Sequence, residues 1–138
     1  HHELKYPVWE PIFKPELNGM ESLLTLIRRK DRSLHYPYHS FDTFIRVLRE
    51  AAISKEVKSI KMTLYRLAKD SKVVKALICA AKNGKKVTVV IELLARFDEA
   101  SNINWSKRMQ DAGMEILSVS VRATSTKEMH VCIPTIPL

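Results

Sequence analysis

Glycine and proline are scarce in this 138-residue sequence, at 3 and 6 residues, so little of the chain is barred from helix or strand. Cysteine is scarcer still: Cys79 and Cys132 form neither a CxxC nor a Cys/His spacing. That excludes a disulfide framework and a structural zinc site and points to a reducing compartment, the cytoplasm. No apolar run nears the roughly 20 residues of a membrane span, because Glu92 interrupts the longest. No basic, apolar, small-residue leader is visible, and His1 and His2 read as a tag remnant. With 46% apolar and 28% charged residues, the composition is that of a single globular domain, not of disorder, collagen or a coiled coil.

Charge is the first positive feature. Lys and Arg number 23 against 15 Asp and Glu, a formal net charge of +8. Such a surplus favours polyanions: nucleic acid, nucleotides, polyphosphate or an anionic membrane face. Solvated surface lysines are the competing explanation.

Residues 1–19 carry Pro7, Pro11 and Pro15 and no sustained period, which predicts an extended lead-in segment whose Tyr6, Trp9 and Phe13 pack on another surface. Met20, Leu23, Leu24 and Ile27 fall at helical spacing, with Arg28, Arg29 and Lys30 where cations suit a helix end. Ser40 reads as the N-cap of a second helix with Phe41, Phe44, Ile45 and Leu48 on one face.

Residues 57–120 alternate. VKSIKMTLY (57–65) is strand-like; Asp70 or Ser71 can cap a helix through Val73, Val74, Leu77, Ile78 and Ala81, which Gly84 ends. KVTVVIELL (86–94) is a nearly continuous apolar strand, as expected when both sheet faces are covered. A more polar helix closes at Gly113, and MEILSVS (114–120) gives a third strand. The expected fold class is α/β, with right-handed crossovers and a parallel-rich sheet flanked by helices. Residues 20–120 form the expected domain; residues 121–138 follow no period.

Arg66 lies just beyond the first strand and Arg96 just beyond the second, one strand–helix unit apart. Both are expected at the carboxyl edge of neighbouring strands about 4.8 Å apart, where open α/β sheets bind ligands. Arginine's planar fork pairs with phosphate oxygens and keeps its charge, so the two can share one anion. The alternative is a pair of surface ion pairs, Arg66 with Asp70 and Arg96 with Asp98 or Glu99. Lys61 and Lys69 could widen the basic patch.

The strings LHYPYHSFDTFIRVLREAA, IKMTLYRLAKDSKVVKALICAAKNGKKVTVVIELLARFDEASNINW and AGMEI resemble polyphosphate kinase of the phosphohistidine-forming type, from about Leu34 to Ile116. The resemblance implies the first of two C-terminal catalytic domains, each a phospholipase D-like lobe. It implies an enzyme that reversibly moves the terminal phosphate of ATP onto inorganic polyphosphate through a phosphohistidine. Arg66 in TLYR and Arg96 in ARFDE match the family's magnesium-phosphate arginines. Magnesium, brought with ATP, is the implied cofactor, held through phosphate oxygens because guanidinium cannot ligate a metal. The implied partners are ATP and ADP, polyphosphate, the remaining domains of the same kinase and, in the whole enzyme, further copies of it. No specific nucleic acid is expected, and membrane contact no closer than peripheral.

One element of the pattern is missing. The family's nucleophile sits in a Lys-x-His-x-Lys motif after the third strand, whereas this chain reads MEILSVSVRATSTKEMHV. His130, the histidine in that vicinity, is followed at the next position but one by Cys132, not lysine. No catalytic histidine is therefore identified, and the chain alone is expected to bind phosphate without kinase turnover. One of His35 and His39 is expected to pack against Tyr36 or Tyr38; Asp42, Asp98 and Glu99 could be partners of the basic site, though a place as helix-start acids explains all three. Competing function classes are a phospholipase D-like phosphodiesterase, which needs a His-x-Lys motif, and a non-catalytic basic module for nucleic acid, which needs aromatics among its cations.

Overall fold

A computed structural model describes residues 9–93, 95 and 97–118. The chain divides into two compact units at Val47/Leu48, a division that falls inside the 20–120 stretch.

In the first unit the proline-rich segment does not stay fully extended. Ile12 makes a parallel bridge with His39 through Ile12 N–H to Tyr38 O (2.8 Å) and Ser40 N–H to Ile12 O (2.9 Å). Pro15, its φ already helical, then opens a 3-10 turn over Pro15–Leu17. Leu17 is buried with Leu23 and Leu26, and Leu34 and Val47 pack on that cluster. Arg46 fixes the turn by donating to the carbonyls of Leu17 (3.1 Å) and Gly19 (3.2 Å). Trp9 meets Tyr38 edge-on at 5.4 Å but remains half-exposed, as does Phe13; Tyr6 lies outside the described residues.

Helix α1 spans Leu23–Arg29. The spacing predicted a start at Met20, but the Ser22 hydroxyl accepts from Thr25 N–H (3.2 Å) and sets the cap there, leaving Met20 fully exposed. Helix α2 spans Asp42–Ile53. Ser40 accepts from Asp42 N–H (3.3 Å), but the first helical bond runs from Ile45 N–H to Phe41 O (3.2 Å), so the exposed Phe41, not the expected Ser40, holds the N-cap position, and the apolar face is left to Ile45, Leu48 and Ala52. His35 and Tyr38 rings pack at 5.4 Å, as expected of one of the two histidines, while His39 Nδ1 accepts from His35 N–H (2.7 Å).

The second unit carries the alternation the sequence predicts: β1 (Ser59–Leu64), α3 (Lys72–Lys82), β2 (Lys86–Ile91), α4 (Glu99–Asp111) and β3 (Glu115–Ser118). The strands form one parallel sheet in the order β1-β2-β3, Leu64 in register with Ile91 and Ile91 with Ser118. Ser71, not Asp70, caps α3, its hydroxyl accepting from Val74 N–H at 3.3 Å. Both helices end with the same device. Gly84 and Gly113 take φ of +78° and +81°. The N–H beyond each glycine, of Lys85 or Met114, reaches back to Ala80 O or Met109 O (3.1 Å each). Each glycine thereby turns the chain into the next strand.

Both crossovers advance in the same direction, so right-handedness places both helices on one face: α3 packs on β2, α4 on β3, and the two touch. Ile60, Met62, Val87, Val89 and Ile91 of the sheet and Val74, Leu77, Trp105 and Met109 of the helices are all buried in the core. The other face carries a row of Lys61, Thr88 and Glu115, with Thr88 Oγ1 donating to Glu115 at 2.9 Å. The expectation that β2 is covered on both faces is therefore corrected. Val90 and Thr88 are only partly buried and Lys86 is exposed, because no described crossover lands there. Among the described residues no helix is long and apolar enough to cross a membrane.

Candidate functional site

Parallel strands bring their carboxyl ends to one edge, where the segments after Leu64 and Ile91 leave the sheet. Arg66 sits there, two residues beyond β1 and exposed. Its guanidinium carbon lies 5.5 Å from the Tyr65 ring centre, and its Nε is 3.7 Å from Asp98 Oδ2. The Arg66 side chain is 44% exposed and that of Asp98 37%, so the contact is solvent-screened and outside hydrogen-bond length. The remaining guanidinium donors can therefore turn to a solvent-borne anion.

Asp98 comes to Arg66 because of how α4 begins. It is the N-cap of α4, yet its carboxylate makes no capping bond. Its main chain is held instead, N–H to Ala95 O at 3.0 Å and carbonyl to Asn102 N–H at 2.9 Å. Just before it, the exposed Phe97 adopts φ +74°, a left-handed conformation unusual for an aromatic residue. The ion-pair alternative named the wrong acid for Arg66: Asp70 pairs with Lys75. The Lys75 ammonium, through its hydrogen bond and its charge, holds the Asp70 carboxyl below the usual carboxylate range.

Arg96 and Leu94 lie outside the described residues, as do residues 119–138 with His130 and the tail segment from 121. The register does qualify the equivalence expected of the two arginines. Leu64 aligns with Ile91, so Arg66 follows its strand by two positions and position 96 follows its own by five. A 30-residue sequence spacing does not match the 27-residue offset of the ladder. Lys61 and Lys69 are exposed.

The sequence reading missed the residues that hold this edge together. Asn102, buried completely on α4, accepts from Leu67 N–H through Oδ1 (3.1 Å) and donates through Nδ2 to Tyr65 O and Glu92 O (2.8 Å each). Ser101 donates to Leu67 O (2.9 Å), and Trp105 Nε1 to Ala68 O (2.9 Å). Arg108 lies over the Trp105 ring at 4.2 Å. The signal was present: 102, 105, 106 and 109 form the buried stripe of α4, and asparagine on such a stripe calls for backbone partners.

Metal chemistry is constrained by the donor set. Arg66 has no acceptor to offer a cation, and among the described residues no three His, Cys, Asp or Glu side chains cluster as ligands would. A magnesium ion beside Arg66 would have to be held by oxygen donors, those of phosphate or of a carboxylate, since the guanidinium offers none.

Residues 22–133 match the family model described as polyphosphate kinase C-terminal domain 1. Polyphosphate kinase of Neisseria meningitidis serogroup A is 44% identical over 115 residues, covering 83% of this chain and 17% of that protein. The polyphosphate kinase of Escherichia coli K12 is 50% identical over 100 residues, 72% of this chain and 14% of that protein. The crystal structure of polyphosphate kinase from Porphyromonas gingivalis superposes with a TM-score of 0.71 at 44% identity, over 84% of this chain and 19% of that one. The chain thus spans under a fifth of the length of these relatives.

Proposed function

This chain belongs to the polyphosphate kinase family, and we propose that it supplies the arginine phosphate site of an ATP–polyphosphate phosphotransferase. In this reading the whole enzyme reversibly moves the terminal phosphate of ATP onto polyphosphate through a phosphohistidine. The observation that carries the reading is the exposed Arg66 guanidinium at the carboxyl edge of the sheet, with the screened Asp98 carboxylate 3.7 Å away.

A phosphoryl group in transfer spreads negative charge over its equatorial oxygens, so a positioned cation with a forked donor set stabilises it. Arg66 supplies that fork, and Arg96, on the segment after β2, is the second member of the pair. The Asp98 carboxylate, 3.7 Å from Arg66 Nε, partly offsets the positive charge there. Magnesium, arriving with ATP, would add charge neutralisation on the phosphates themselves. The nucleophilic histidine, the remaining domains of a phospholipase D-like enzyme, further copies of it, ATP and ADP are the partners this reading requires, in a cytoplasmic setting. Without an identified nucleophile, the chain alone incorporates no label from γ-labelled ATP.

Titration with long-chain polyphosphate and with single-stranded DNA at equal charge tests the reading. A clear preference for polyphosphate that persists as salt rises supports a phosphate site. Equal affinities falling with the same salt slope would mark generic electrostatics and reject it.

A further inference from the structure

We propose that Asn102 is the positioning residue of the arginine site, a single buried amide that fixes both peptide groups flanking Arg66 and ties them to the end of β2. The inference rests on the phosphate reading of Arg66.

Tyr65 O belongs to the peptide before Arg66 and Leu67 N–H to the peptide after it. Asn102 Nδ2 donates to the first (2.8 Å) and Oδ1 accepts from the second (3.1 Å). Its other amide hydrogen goes to Glu92 O (2.8 Å), one residue past β2, on the segment that leads to Arg96. Both donor hydrogens of the amide are committed, and its residue is wholly buried. Beyond Leu64 and Ile91 the ladder gives way to a 3.4 Å contact from Glu92 N–H to Leu64 O. A strand end that simply frays would leave Arg66 free to sample many backbone conformations, each aiming its guanidinium elsewhere. The amide removes that freedom before any anion arrives, and an ordering cost not incurred on binding appears as affinity. Ser101, bonded to Leu67 O, reinforces the same segment from the adjacent position of α4.

Generic helix-to-sheet attachment would also use such bonds, so the decisive readout is coupling to Arg66. The dissociation constant for long-chain polyphosphate is measured for the native chain, Asn102→Asp, Arg66→Ala and the double variant. Aspartate keeps the acceptor toward Leu67 N–H and loses both donors. Asn102→Asp is expected to weaken binding about tenfold in the native background and less than twofold on Arg66→Ala. Amide exchange at Leu67 should accelerate in the same variant. Should Asn102→Asp fail to fold, Ser101→Ala carries the same cycle, with a smaller loss that again vanishes on Arg66→Ala. An equal loss in both backgrounds, or no loss with Leu67 exchange unchanged, overturns the proposal and leaves the phosphate reading standing. No effect of Arg66→Ala itself would instead overturn the phosphate reading, and this proposal with it.

Discussion

Arg66 Nε and Asp98 Oδ2 lie 3.7 Å apart, joining the end of the first strand to the cap of the helix that follows the second. The acid therefore comes from the neighbouring strand–helix unit, and it partly offsets positive charge where an anion would bind. Exposed pairs of this kind contribute about 0.2–1 kcal/mol to stability.

Removing that carboxylate should accordingly help binding more than it harms the fold. Asp98→Asn is expected to raise polyphosphate affinity roughly two- to fivefold at low salt, the gain shrinking once the Debye length falls to about 8 Å or below. A titration at two salt concentrations checks this. A loss of affinity at both would mean that Asp98 aims the guanidinium and does not compete for it.

Backbone strain beside the site gives a stability test. Phe97 holds φ +74° while 85% exposed, so its ring contributes little burial and its Cβ costs about 1–2 kcal/mol in that conformation. Glycine relieves the strain and gives back part of the gain through its freer unfolded chain. Phe97→Gly should thus stabilise by about 0.5–1 kcal/mol in denaturant unfolding. A net loss would show that the ring makes contacts worth more than the strain.

The opposite change at the end of α3 isolates conformation from packing. A methyl group at Gly84 would meet nothing within 4 Å, yet the residue sits at φ +78°. Gly84→Ala is expected to cost about 1 kcal/mol through backbone strain alone. An unchanged unfolding midpoint would mean the turn relaxes without cost.

Acid should weaken one local pair in a defined direction. The Asp70 carboxyl is held below its ordinary range by the Lys75 hydrogen bond and charge, so its folded value lies under the unfolded one. Its stabilising contribution is present above the unfolded carboxylate value, about pH 4, and is lost as pH falls through the lower folded value. The pair is exposed, so the effect is small and salt-sensitive. Melting of native chain and Asp70→Asn should differ slightly at neutral pH and converge in strong acid. A gap that widens with acid would contradict the sign.

What could be read from sequence was what local chemistry dictates. Gly84 and Gly113 announce the helix ends, valine runs announce the strands, and their alternation leaves few topologies. Arg66 follows its strand closely enough for the sequence alone to put it at the sheet edge. Long-range facts were less accessible. Asn102 meets Tyr65 across 37 positions and Leu67 across 35, and no periodicity reports such a pairing in advance. The ladder offset and the face that the two crossover helices share likewise depend on how crossovers settle, not on any one residue. At Met20 the apolar spacing competed with the cap at Ser22, and the hydrogen bond prevailed.

The most direct test of the phosphate site compares polyphosphate affinity, relative to single-stranded DNA of equal charge, across the native chain, Arg66→Ala, Arg96→Ala and the double variant. The expected result is that either single change abolishes the preference for polyphosphate, and the double variant loses little more, because both guanidinium groups serve one anion. Retention of the full preference without Arg66 and Arg96 would contradict the account.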